Sequence, residues 1–106
     1  VQISVMEKKR VVLSNTAKSK LTDLLNYLEN TWSKKVQNEF VAKMDRSLSR
    51  ISYYPNSCPE STEIQGLFKC VVTKQTSLFY RVNPQEIEVV TLFDTRQDTK
   101  KLKMLK

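Results

Sequence analysis

The stretch GLFKCVVTKQTSLFYRVNPQEIEVVTLFD, residues 66–94, decides the fold. From Gly66 onward the spacing of apolar side chains is strand-like, and three β-rich segments follow at residues 67–74, 77–83 and 86–94. Only Gln75-Thr76 separates the first pair, and only Pro84-Gln85 the second. Connections that short force antiparallel neighbours, because a parallel return needs a crossover of roughly a dozen residues or more. The three segments therefore predict a meander.

Upstream, the period is helical. Pro55 and Pro59, with Asn56, Ser57 and Cys58 between them, end a helix on which Val36, Phe40, Val41, Met44, Leu48 and Ile51 repeat. Before it, Ala17, Leu21, Leu24, Leu25, Leu28 and Trp32 step by three or four along another apolar stripe. Ser14-Asn15-Thr16 and Ser33 supply N-cap chemistry for the two helices, because such side chains accept from the orphan amides of a first turn. Two helices joined by so tight a turn form an antiparallel hairpin. Trp32, at that turn, is expected to anchor the core. Val11-Val12-Leu13 suits a short strand, which cannot fold alone and must join the meander's sheet. The predicted class is α+β: strand, helix hairpin over one face, then the meander.

With 106 residues and 40% hydrophobic content, the chain supports one domain, expected to span residues 1–106. Residues 1–5 precede Met6-Glu7-Lys8-Lys9, which reads like a natural start, so they are expected to be an extension. Without histidine there is no Ser-His-Asp relay, no imidazole acid/base and no His-ligated metal. Cys58 and Cys70 alone cannot build a structural zinc site and are expected to be reduced thiols. No cofactor and no metal are implied. No apolar run approaches the ~20 residues of a membrane span, and a cytoplasmic location is expected. The net charge of +7 points to an acidic or polyanionic partner, and the basic tail at residues 97–106 adds Lys100, Lys101 and Lys103 to Arg96 just before it.

The element order and several local patterns together resemble the RelE/ParE superfamily of bacterial type II toxins. The carrying pieces are Val12-Leu13-Ser14 before Ala17, Leu28 leading to Trp32-Ser33, and Pro55 with Pro59. Gly66-Leu67-Phe68-Lys69, Leu78-Phe79-Tyr80-Arg81-Val82, and Ile87-Glu88-Val89-Val90 running into Asp94-Thr95-Arg96-Gln97-Asp98 complete them. The match covers roughly residues 8–102. It implies a growth-inhibiting toxin of a plasmid-stabilisation-type pair, neutralised by a cognate antitoxin. It leaves two targets: DNA gyrase for ParE-like members, and ribosome-bound mRNA for RelE-like members.

RNA cleavage by a 2′-hydroxyl needs a base, cationic stabilisation of the phosphorane-like charge, and a proton for the leaving oxygen. The resemblance places Lys74 on one family lysine and Arg96 on the basic cluster after the last strand. These are the candidate catalytic residues of a nuclease, with help from Lys69 or Arg81. Other family positions are empty: Thr76 or Ser77 replaces an arginine, Val72 a lysine, and no tyrosine or histidine follows Arg96. The incomplete set favours ParE-like inhibition. RelE-like cleavage and a non-toxic antitoxin-binding protein are the alternatives. Lys69, Arg81, Lys100, Lys101 and Lys103 are the candidate target- or nucleic-acid-binding residues, although Arg81 also suits a cross-strand pair with Glu88 or Glu86.

Overall fold

The computed structural model describes residues 8–96. β1 (Arg10–Leu13) leads into α1 (Asn15–Thr31) and α2 (Lys34–Tyr53), followed by β2 (Phe68–Val71), β3 (Thr76–Val82) and β4 (Glu86–Asp94). One sheet holds all four strands in the order β1-β4-β3-β2. The meander pairs are antiparallel, and β1 lies parallel to β4. Two reversals return β4 to the direction of β2, β1 runs the same way, and the first strand completes the sheet against the meander's last one.

Both serine caps form. The Ser33 hydroxyl accepts from the Val36 amide (3.1 Å), and the Ser14 hydroxyl accepts from that of Ala17 (3.0 Å). Ser14 also ties α1 to the sheet, through its amide to the Val89 carbonyl (2.9 Å) and its hydroxyl to that of Val90 (2.6 Å). Val90 is the extra residue of a β-bulge: Phe79 faces Thr91, but Tyr80 faces Val89. The bulge changes the phase of β4. Ile87 and Val89 share the helix-side face with Leu92 and Asp94, opposite Val82, Tyr80, Leu78 and Thr76 of β3.

The core lies between this face and the helix hairpin. Ala17, Leu24 and Leu28 of α1 pack there with Phe40, Met44 and Ile51 of α2. The amide of buried Gln37 donates to the Leu25 carbonyl (2.9 Å) and ties the two helices together. Tyr80 is fully buried, stacks on Phe68 with ring centroids 5.4 Å apart, and donates to the Pro55 carbonyl (2.8 Å). That last bond pins the chain leaving α2. Gly66, at φ 88°, makes the left-handed turn into β2 that a side chain would strain.

Two expectations are corrected. Trp32 is not a core anchor but 58% exposed. It is the C-cap of α1, with φ −112° and ψ −83°, so its backbone has left the helix and its side chain the apolar stripe. The first meander strand ends at Val71, not at Lys74. The Thr73 hydroxyl accepts from the Gln75 and Thr76 amides (3.1 and 3.0 Å) and closes the turn early.

Candidate functional site

The sheet's second face is turned away from the helices, its register fixes what stands there, and Phe79 and Thr91 at its centre are buried. Lys69, Phe79 and Thr91 lie side by side across β2, β3 and β4, with Arg81 opposite Glu88 one step along. Lys69 meets Glu63 of the preceding loop at 2.6 Å. The bond from Lys69 holds the Glu63 carboxyl below its ordinary pKa, against the opposing effect of burial. Arg81 meets Glu88 at 3.1 Å, the cross-strand pair its position allowed. Each pair contributes little stability, ~0–1 kcal/mol. Each nevertheless cancels the charge that would attract an anion to this face.

Arg96 and Lys74 share one end of the sheet, where the Thr95 amide donates to the Gln75 carbonyl (2.9 Å). Their environments differ. Asp94 is buried on the helix side, and Arg96 grips it with Nε on Oδ1 (3.0 Å) and Nη2 on Oδ2 (2.7 Å). The Arg96 amide adds a bond to Oδ1 (2.9 Å), and the Thr76 hydroxyl a short one to Oδ2. Burial alone pushes the Asp94 carboxyl up, but the bonds from Arg96 and Thr76 outweigh it and hold the acid below its ordinary value. The same ion pair raises the Arg96 pKa, and Tyr27 of α1 acts in the same direction. The guanidinium fork is therefore engaged with the sheet's own carboxylate. Lys74 is exposed within the β2–β3 turn and pairs with no described residue. Lys100, Lys101 and Lys103, with the tail at residues 97–106, lie outside the described residues, as do residues 1–5.

A cluster that the sequence did not announce lies between α2 and β2. Lys43, Arg46 and Arg50 follow one another at i, i+3 and i+7 and line a groove of about 440 Å³ with Ser47, Val71 and Val72. Arg50 Nη2 donates to the sulfurs of Cys70 (3.1 Å) and Cys58 (3.6 Å). Both cysteines are free and buried. Burial first, then the neighbouring Cys58, pushes the Cys70 thiol up to about 11, although Arg50 opposes the shift. Burial also raises the Tyr80 phenol well above its ordinary range. The helical spacing of the three cations was the one available signal, since the cysteines are brought to Arg50 only by the fold. Among the described residues, no helix is long and apolar enough to cross a membrane.

Known proteins supply a family for this architecture. The family model described as "ParE toxin of type II toxin-antitoxin system, parDE" matches residues 11–99. Among solved structures, the chromosomal ParDE toxin–antitoxin system of P. aeruginosa is similar at a TM-score of 0.69 and 12% identity, covering 85% of this chain and 97% of that one. A conserved hypothetical protein of Helicobacter pylori, solved in solution, is similar at 0.54 and 15% identity, covering 83% and 96%. At those identities the two structures speak to the fold alone. No curated protein matches. The family match spans nearly all of β1 and every later element of the sheet and hairpin: the chain belongs to the ParE toxin family of type II toxin–antitoxin systems.

Proposed function

We propose that this protein arrests bacterial growth when it is not held by a cognate antitoxin, and that it does so by ParE-like inhibition of a DNA-replication target such as gyrase. The observation that carries this reading is the dispersal of the candidate cations. Lys69, Arg81 and Arg96 are each bound to a carboxylate, and Lys74, on a turn, pairs with no described residue. Lys69 and Arg81 lie on the sheet face turned away from the helices, whereas Asp94 draws Arg96 to the helix side. Cleavage by a 2′-hydroxyl needs base, clamp and acid within hydrogen-bond reach of one phosphate. Inhibition by surface recognition makes no such demand. The ParDE system named in the P. aeruginosa structure supports an antitoxin as the first partner.

Pulse labelling after induction of the protein alone tests the target. DNA synthesis should fall first while translation continues. An early fall in protein synthesis, with cut ribosome-bound mRNA, would replace this reading with an endonuclease. Undisturbed growth would remove the toxic activity and leave an antitoxin-binding protein. Lys74→Ala should retain full growth arrest, and its loss in a folded variant would return Lys74 to the reacting centre.

A further inference from the structure

Cys58 and Cys70 stand opposite each other in a register that the chain has already begun. Glu60 bridges Phe68 in antiparallel fashion, with the Ser61 amide on the Leu67 carbonyl (2.7 Å) and the Lys69 amide on that of Pro59 (2.9 Å). Those two bonds flank the bridge, so Glu60 and Phe68 form a non-hydrogen-bonded pair. One period further along the same register come Cys58 and Cys70. The ladder stops between them and the bridge because Pro59 has no amide to continue it. Such a pair holds its Cα atoms about 4.5 Å apart, with the side chains on one face. A disulfide spans Cα separations of about 4.4–6.8 Å.

The side chains bear out this placement. Arg50 Nη2 donates to both sulfurs, at 3.1 Å from Cys70 and 3.6 Å from Cys58. Both cysteines also act on the buried phenol of Tyr80, so the two thiols share one pocket. Their access differs: Cys70 is fully buried, whereas Cys58 keeps 6% exposure. Arg50 favours the Cys70 thiolate, against the burial that disfavours it.

We infer that Cys58 and Cys70 form a reversible dithiol–disulfide pair, oxidised by small-molecule disulfides, whose closure staples the segment between α2 and β2 onto β2. Cys58 gives up its proton and attacks the small disulfide, whose S–S bond breaks and releases one small thiol. Cys70 then gives up its proton and attacks the Cys58 sulfur, which expels the second small thiol. Two protein thiols are oxidised and one small disulfide is reduced. The device is independent of which cellular target the protein inhibits.

The test equilibrates the full-length chain with mixtures of reduced and oxidised glutathione, natively and in urea, followed by acid quenching, maleimide capping and mass spectrometry. The native protein should lose two hydrogens and yield one linked pair of peptides carrying Cys58 and Cys70. Its equilibrium constant for closure should exceed that in urea roughly a hundredfold, because a bridge that fits the fold is favoured by as much as it stabilises the fold. Cys70→Ser should halt at a mixed disulfide with glutathione on Cys58, whereas Cys58→Ser should leave Cys70 largely unmodified while folded. A closure constant no larger than in urea would overturn the inference, as would a native wild-type protein that halts at the mixed disulfide. Glutathione on Cys70 in folded Cys58→Ser, as fast as on Cys58 in Cys70→Ser, would overturn the order of attack.

Discussion

Replacing Arg96 by methionine should destabilise the protein by about 3 kcal/mol at pH 7, the lower end of the cost of breaking a buried ion pair. The lower end applies because Asp94, with its side chain 1% exposed, loses the two guanidinium bonds but keeps the Thr76 hydroxyl and the backbone amide of residue 96. A domain of this size has a total stability of about 5–15 kcal/mol, so the loss is a large fraction of it. The melting temperature should fall by roughly 12–20 °C.

The loss should depend on pH, with a sign fixed by Asp94. In the wild type its carboxyl is held below the unfolded value, so the stabilisation is complete above that value and disappears as pH falls through the folded one. In Arg96→Met, burial acts with far less opposition and the carboxyl pKa rises. The folded variant then takes up a proton as pH falls from neutral, which relieves the buried charge. Urea unfolding followed by far-UV circular dichroism should therefore show a smaller gap between variant and wild type at pH 5 than at pH 7. Adding Asp94→Asn should restore part of the loss at pH 7. A loss below about 1 kcal/mol, or a gap that ignores pH, would refute the assignment of Arg96 to the framework. A folded, fully stable Arg96→Met protein without growth arrest would instead place Arg96 at a reacting or target-binding surface.

Ser14→Ala removes both an N-cap and the bond to the bulge carbonyl of Val90, and should cost about 2 kcal/mol, with faster hydrogen exchange at the Ala17 amide. Tyr80→Phe keeps the stack on Phe68 but frees the Pro55 carbonyl, and a loss of about 1 kcal/mol in the same urea assay is expected. Cys70, raised from 9.0 to about 11, should be alkylated by iodoacetamide at least about a hundredfold more slowly at pH 7.5 in the native protein than in urea. Equal rates would mean that the thiol is not buried beneath Arg50 and Cys58.

The elements legible in the sequence are those fixed by short-range physics. Ser14 and Ser33 cap their helices through bonds to residues three positions on, and the two short reversals force the meander without knowledge of the rest. What was not legible needed partners distant in the chain or a backbone about to change course. The parallel docking of β1 on β4 joins Leu13 to Val89. The bulge at Val90 exists where two strands of different phase must present one apolar face. Trp32 continued the helical spacing by one step after the backbone had turned away. At the candidate site, the sequence supplied Asp94 and Arg96 two residues apart but not the turn that folds one onto the other. Arg50, Cys58 and Cys70 come from three separate segments, so no local pattern joined them.

A net charge of +7 does not say where the field of this protein points. On the sheet, pairing sets opposite charges face to face: Arg81 opposite Glu88 and Arg10 opposite Glu86. Lys69 and Arg96 find Glu63 and Asp94 close by in the chain. On α2 the cations at positions 43, 46 and 50 look across a groove to β2 and its turn, residues 68–75, which contain no acid. Among the described residues, the cations left for an acidic partner therefore stand on the helix side, and those of the sheet strands are paired. Salt separates the two. With a Debye length of about 10 Å at 0.1 M, added salt screens the exposed helical cations but hardly reaches the buried Asp94–Arg96 pair. Affinity for the cognate antitoxin should therefore fall steeply between low and moderate salt while the urea midpoint moves little; a field centred on the sheet would weaken both together.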